Sequence, residues 1–288
     1  MAKRVRSARA VEKTSRVIVY IILGLISIIW LIPFVYLIFQ SLSSVPNPGS
    51  FFPAKGQWTF DNYKSLFTSN SAPFFRWWLN TFIIAAASAV LQTIFVLMTS
   101  YALSRLRFKG RQGIMKLILL LGMFPGFLGM VVTYMILRLF GLNESVFSLI
   151  IVYVASSAMS YYIAKGFFDT IPKSLDEAVL IDGGNKNTVF WKVILPMSKP
   201  IIIYTVLVSF TGPWGDFMFA SLLSQGAKPE NLTVAVGLQG VLNNSSIEGI
   251  SNQFGLFCAG AVFVSIPIMA LFFWLQRYYV EGIAGGAV

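Results

Sequence analysis

Side chains able to carry acid–base, nucleophilic or metal chemistry are scarce in this 288-residue sequence: it has no histidine, one cysteine (Cys258) and eleven acidic residues. Four of those acids gather in one place. Asp169, Asp176, Glu177 and Asp182 lie in or at the edge of residues 170–200, TIPKSLDEAVLIDGGNKNTVFWKVILPMSKP, beside Lys173, Lys186, Lys192 and Lys199. No imidazole is available as base or ligand, Cys258 has no internal disulfide partner, and no G-x-x-x-x-G-K-[ST] loop is present to cradle ATP phosphates. Gly282, Gly285 and Gly286 are wrongly spaced for a phosphate loop and read as a flexible tail. Paired carboxylates for metal or general acid–base work are missing from the apolar runs. The chemistry this set supports is charged contact at a wet surface, so the chain reads as a non-enzyme.

The elements that hold those residues follow from local signals. Ser174 with Glu177 three residues later reads as a capping box at a helix start, with Pro172 just ahead. Leu175, Ala178 and Val179 fall on one face at helical spacing and Asp176 on another, while Gly183-Gly184 supply a left-handed stop. This predicts a short amphipathic helix. A second short helix is expected from about Thr188 to Leu195, ending where Pro196 breaks the backbone ladder before the next apolar run starts at Pro200.

Composition sets the surroundings. The chain is 56% hydrophobic and 11% charged, with a mean hydropathy of +0.73, which a water-soluble surface would not hide. Apolar runs near residues 17–40, 80–103, 116–140, 147–168, 201–225 and 255–276 each approach the ~20 residues needed to cross a hydrocarbon core. The fold class expected is all-α, a polytopic membrane protein with six transmembrane helices, and the polar island is a loop between the fourth and fifth. The basic residues orient it. With a cytoplasmic N-terminus, residues 1–16 form a basic tail, and 17 of the 22 lysines and arginines fall on the cytoplasmic side, with only Lys55, Lys64, Arg76, Arg138 and Lys228 opposite. Both termini and the 169–200 loop are therefore expected in the cytoplasm. The run from Val17 to Phe39 is too long for a signal-peptide core and lacks a cleavage site, so it reads as a retained span. The +11 charge is spread over span ends without a recognition module, which argues against nucleic acid as a partner.

Glu177-Ala178, then Asp182-Gly183, then Ile194-Leu195-Pro196 resembles the E-A-A, G, I-x-L-P pattern of permease subunits in binding-protein-dependent ABC importers, with Val179 in place of the usual second alanine. Ala102 to Gly110 (ALSRLRFKG), Trp214-Gly215-Asp216-Phe217 and the tail from Arg277 to Val288 are similar to the carbohydrate branch, maltose and maltodextrin type. That resemblance implies residues 17–288 form one six-span permease domain of a prokaryotic cytoplasmic membrane. It also implies inward movement of a sugar, an oligosaccharide of maltodextrin type, along a path shared with a second permease subunit. Two ATPase subunits would bind the ATP, so this chain needs no cofactor or metal of its own, and a solute-binding protein would dock outside. The helix from Leu175 to Asp182 becomes the coupling helix seated on an ATPase subunit, with Glu177 as a charged contact, Ala178 and Asp182 beside it, Gly183 as the turn and Pro196 as the end of the motif.

Two outer segments and one intramembrane acid complete the reading. Residues 41–79 mix Pro46, Pro48 and Pro53 with Phe51, Phe52, Trp58, Phe60, Tyr63, Phe67 and Phe74, which suits either a folded cap or an aromatic belt at the interface. Residues 226–253 resemble the loop through which such permeases meet their solute-binding protein. Asp216 is the one acid inside an apolar run, placed after Thr211-Gly212-Pro213-Trp214-Gly215, where proline and glycines open the helix. Burial makes an intramembrane carboxylate a functional candidate. Trp214 and Asp216 are thus either part of the substrate path or a hydrogen-bonded tie between spans. Phe124-Pro125-Gly126 marks a comparable break. The alternative to an ATP-driven importer is a proton- or ion-coupled secondary transporter, for which a single intramembrane acid is a poor supply of coupling groups.

Overall fold

The computed structural model describes residues 2–45, 49–69, 72–123, 126–143, 145–243 and 252–284. The order of elements is α1 (Ala2–Ser41), α2 (Asp61–Thr68), α3 (Phe74–Arg105), α4 (Arg111–Met123), α5 (Gly126–Leu139), α6 (Ser148–Ala155), α7 (Ala158–Thr170), α8 (Lys173–Ile181), α9 (Lys186–Val189), a π-helical segment Phe190–Ile194, α10 (Leu195–Met197), α11 (Lys199–Gly215), α12 (Met218–Leu223), a 3₁₀ turn Pro229–Asn231, α13 (Val234–Asn243) and α14 (Gln253–Ala284). Among the described residues the only strand-like pairing is an isolated bridge between Ser43 and Trp58. The fold is all-α, as composition requires.

Among the described residues three helical stretches are long and apolar enough to cross a membrane: Ser15–Ser41, Phe74–Arg105 and Gln253–Gln276. Three helix pairs pass the same test together, α4 with the end of α5, α6 with α7, and α9–α10 with α11, which gives up to six spans. Leu, Ile, Val and Phe side chains stay exposed along much of α1, α3 and α4, as expected where the solvent is lipid and burial inside the chain is not required. The expected break at Phe124-Pro125 falls outside the described residues.

The chain divides into two compact units. One holds Met1–Ser69 with Ser245–Phe263. Its polar centre is Asn62, whose side-chain amide donates to the carbonyls of Ser41 (2.9 Å) and Ser43 (2.7 Å), while the amide of Asn252 also donates to Ser43 at 2.8 Å. Phe39 packs against Phe51, Phe52 and Trp58, with ring centroids 6.0, 4.9 and 5.9 Å apart. The proline- and aromatic-rich segment is folded on itself here.

The other unit holds Asn70–Asn244 with Val264–Val288. α3 runs through it as a long axis against which α6, α7, α11 and α13 pack. One core cluster joins Ile84, Leu137, Val146, Leu149, Phe219, Ala220 and Leu223. A second joins Val96, Leu97 and Tyr101 of α3 to Ala164, Phe168, Ile171, Val189, Phe190, Ile194 and Ile201. That second cluster sits under the polar island.

Candidate functional site

The polar island folds as a helix, a glycine break and a second helical segment. Its first helix differs from expectation in how it starts. Pro172 occupies the N-cap position of α8 with no side-chain cap, so Ser174 lies inside the first turn and the Ser174–Glu177 capping box does not form. The helix end is a complete Schellman arrangement: Gly183 N–H donates to Leu180 O at 3.2 Å and Gly184 N–H to Val179 O at 2.9 Å. Gly183 takes φ +82°, the left-handed conformation that its lack of Cβ permits. Gly184 is constrained differently, because a Cβ there would meet Val179 Cγ1 at 2.6 Å and Val179 O at 2.9 Å.

The second segment also departs from the expected Thr188–Leu195 helix. It starts earlier, at Lys186, with a capping box made by Asn185 and Thr188: Thr188 N–H donates to Asn185 Oδ1 at 2.9 Å and Asn185 N–H to Thr188 Oγ1 at 3.4 Å. It then widens into the π-helical turn Phe190–Ile194 and continues through Pro196 to Met197. Pro196 therefore does not end it. A proline removes one backbone donor, and the wide turn just before it changes the bonding pattern the ring would otherwise interrupt. The chain bends at Ser198 instead, by 77° between the segment ending at Met197 and α11.

Of the expected apolar face of α8, Val179 packs on the second core cluster while Leu175 and Ala178 face outward, and Asp176 is the residue turned inward beside Val179. Asp176 is 6% exposed, whereas Leu175 and Leu180 are partly exposed and Ile181 is 85% exposed. Glu177, Ala178 and Asp182 are exposed as well, and among the described residues the Glu177 carboxylate has no hydrogen-bond or ion-pair partner. Ile181 and the Glu177 carboxylate thus stand out from α8, with Leu175 and Leu180 partly covered, and the helix is held from behind.

What holds it is the end of α3. Arg105, itself buried, donates from Nη2 to Phe168 O (2.8 Å), which also accepts the Ile171 N–H, and to Ile171 O (2.7 Å), and so caps the C-terminus of α7. Its Nη1 lies 3.6 Å from Asp176 Oδ2, with both side chains almost fully buried. Ser104 Oγ donates to Asp169 Oδ1 at 2.6 Å, and Lys165 pairs with the other oxygen of Asp169. Tyr101 OH donates to Lys186 O at 2.7 Å, and Ser100 Oγ to Tyr161 O at 3.0 Å. Four polar residues in the last two turns of α3, Ser100, Tyr101, Ser104 and Arg105, thus fix α7, the start of α8 and the start of α9. None was singled out from sequence: Arg105 counted only as a basic residue at a span end, within a stretch quoted for its resemblance.

Asp216 and Trp214 lie far along the chain from this loop, at the other end of α11. α11 ends at Gly215, and Asp216 Oδ1 accepts the Phe219 N–H at 3.0 Å at the start of α12. Its Oδ2 accepts from Tyr153 OH of α6 at 2.6 Å. Both carboxylate oxygens are engaged within the chain, which is the tie-between-spans geometry. Trp214 is buried against Phe210 (ring centroids 5.9 Å) and Trp78 (5.8 Å), and its indole Nε1–H has no hydrogen-bond acceptor among the described residues.

The described part of the 226–253 segment is pinned to α3. Trp77 Nε1 donates to Pro229 O at 2.6 Å, Asn80 Nδ2 to Glu230 O and Leu232 O, and Val234 N–H donates to Thr81 Oγ1 at 2.8 Å. α13 then comes so close that a Cβ on Gly237 would meet the Trp77 ring at 2.2 Å. Residues 244–251 lie outside the described residues.

The family described as binding-protein-dependent transport system inner membrane component matches residues 96–285. The chain is 32% identical over 282 residues to a maltodextrin transport system permease protein of Bacillus subtilis, covering 97% of this chain and 98% of that one. It is 36% identical to a galactooligosaccharides transport system permease protein of the same organism and 37% identical to a maltodextrin permease of Streptococcus pneumoniae, each over 79% of both chains. In fold it is similar to a chain of a bacterial ABC transporter that imports alginate, with a TM-score of 0.76 at 22% identity, covering 93% of this chain and 97% of that chain. By its family match and by relatives aligned along nearly its whole length, the chain belongs to the binding-protein-dependent transport system inner membrane components.

Proposed function

We propose that this chain is a six-span permease subunit of an ATP-driven importer for a sugar, an oligosaccharide of maltodextrin type. Its relatives are named for maltodextrin and galactooligosaccharide transport. In this reading it forms the translocation path with a second permease subunit in the cytoplasmic membrane of a prokaryote, both termini inside. A solute-binding protein delivers the sugar from outside, and two ATPase subunits bind and hydrolyse the ATP. A solved alginate transporter similar in fold is described in complex with a pentasaccharide-bound periplasmic protein.

The observation that carries the reading is the surface of α8. Ile181 is 85% exposed although the rest of the loop is tightly fixed, Leu175 and Leu180 are partly exposed, and Glu177 stands beside Ile181 without a partner among the described residues. Burying one aliphatic side chain of this size contributes about 1.5–3 kcal/mol, so a cytoplasmic helix that leaves Ile181 open is stabilised by a protein placed over it. Glu177, Ala178, Asp182 and Gly183 make the contact and its turn, and Pro196 belongs to the segment that returns the chain to the membrane. Trp214 and Asp216 belong to the wall of the path, where Asp216 ties α6 to α12.

The test is purification of the intact importer from its host in mild detergent, followed by identification of the bound subunits. Recovery of two ATPase subunits that are lost on Ile181→Ser, with this chain still in the membrane, is the expected result. A chain that purifies without ATPase subunits and still drives sugar uptake would overturn the assignment.

A further inference from the structure

The bonds made by the end of α3 are of two kinds. Those from Tyr101 and from Nη2 of Arg105 go to main-chain carbonyls of Lys186, Phe168 and Ile171, at 2.7–2.8 Å. They fix where the loop leaves and re-enters the membrane side, whatever the tilt of α8. The contact with α8 itself is different. Arg105 Nη1 and Asp176 Oδ2 are 3.6 Å apart, well beyond the ~2.7–2.9 Å of a charge-assisted hydrogen bond. Arg105 Nε, Arg105 Nη1 and Asp176 Oδ1 are buried without a hydrogen-bond partner.

Buried charges left incompletely paired are costly, and the cost falls once Nη1–H reaches a carboxylate oxygen in a charge-assisted hydrogen bond, the Nη2 protons being already given to Phe168 O and Ile171 O. The pair is thus held near its best geometry without reaching it, on the inner side of the helix whose outer side is uncovered. A displacement of α8 toward α3 by less than the width of an atom would close it. Asp176 also lies in the first turn of α8, where the helix dipole keeps a carboxylate favourable in either position.

We propose that the Arg105–Asp176 pair is the adjustable link through which pressure on the outer face of α8 is passed to α3, Arg105 acting as a positioning residue and Asp176 as the group that moves. This rests on the reading of α8 as the coupling helix. In that sequence an ATPase subunit closing on Ile181 and Glu177 presses α8 inward, the pair closes, and α3 follows because Arg105 is a residue of α3 itself. The bonds from Ser104 and Tyr101 tie α7 and α9 to α3, so these elements move with it.

The experiment reconstitutes the complete importer in proteoliposomes and measures sugar uptake, ATP hydrolysis and subunit content for Asp176→Asn, Asp176→Glu, Arg105→Lys, the Asp176→Asn/Arg105→Lys double variant and Glu177→Gln. The proposal expects Asp176→Asn to assemble with its ATPase subunits and hydrolyse ATP while uptake falls roughly tenfold or more, the size of effect a broken buried pair produces. Asp176→Glu restores uptake to within about twofold, and the double variant is no worse than the poorer single one, as for residues acting through one contact. Unchanged uptake in Asp176→Asn overturns it. So does loss of that variant from the membrane, which would make the pair a folding element, and so do losses that multiply in the double variant. Glu177→Gln separates the two levels: if it too leaves uptake and stimulated hydrolysis intact, the coupling assignment of α8 fails, whereas a defect there beside a normal Asp176→Asn removes only the link.

Discussion

Gly184 N–H donates to Val179 O at 2.9 Å, and the same closeness leaves no room for a side chain, since a Cβ on Gly184 would lie 2.6 Å from Val179 Cγ1. Gly183 beside it has open space around its Cβ position but a φ of +82°. The two glycines are therefore required for different reasons. Gly183→Ala meets only the left-handed conformation, which costs about 1–2 kcal/mol, while Gly184→Ala must push back the main chain of α8. Uptake measured at equal membrane abundance should fall more for Gly184→Ala than for Gly183→Ala. The reverse order would show that the turn does not have this geometry.

Asp216 uses both oxygens within the chain, one on Tyr153 OH and one on Phe219 N–H. Asp216→Asn keeps an oxygen for Phe219 and a polar group for Tyr153, so transport near normal is expected. Asp216→Ala loses both bonds and should lower the melting temperature of the purified complex by an amount consistent with about 1–3 kcal/mol for buried groups left unpaired. If Asp216→Asn abolished uptake at normal abundance, its charge would be acting on the sugar path directly.

Gly237 and Gly240 share α13 but not their surroundings: a Cβ on Gly237 would strike the Trp77 ring at 2.2 Å, whereas Gly240 has nothing within 4 Å. Gly237→Ala is expected to destabilise by about 1–3 kcal/mol through overpacking. Gly240→Ala should be neutral or slightly stabilising, because alanine favours the helix. Thermal unfolding of the two variants in detergent checks this, and equal melting temperatures would contradict it.

The cytoplasmic placement of the α8 loop rests on the distribution of lysine and arginine. With Cys258 replaced by alanine, a cysteine at Glu230 should react with a membrane-impermeant thiol reagent in intact cells and one at Asn187 should react only after permeabilisation. The opposite pattern would invert the topology and remove the surface assigned to the ATPase.

Three spans were legible because length and apolar content suffice to find them, whereas the other three apolar runs fold as bent helix pairs and the run expected at 201–225 breaks after Gly215. The left-handed glycine at 183 was legible because a helix stop of that kind has a local signature. The start of α8 was misread since serine followed by glutamate three residues on describes a capping box only if the chain enters the helix at the serine, and Pro172 takes that position instead. The π-helical turn had no sequence sign apart from the proline after it. Periodicity marked an apolar face on α8 from Leu175, Ala178 and Val179 but could not say what covers it: Val179 packs on the core while Leu175 and Ala178 face outward, and Asp176 goes inside, because Arg105, some seventy residues earlier, supplies the opposite charge. A partner that distant in sequence leaves no local pattern.

The central claim is that the uncovered face of α8 receives the ATPase subunit and transmits its motion. The most direct measurement is ATP hydrolysis stimulated by sugar-loaded solute-binding protein in proteoliposomes, compared between the parent importer and Glu177→Gln, with the content of each subunit determined in the same preparation. The account predicts a normal amount of this chain, and either fewer ATPase subunits bound or hydrolysis that no longer responds to the loaded binding protein. Full stimulation with a complete set of ATPase subunits in both Glu177→Gln and Ile181→Ser would contradict it.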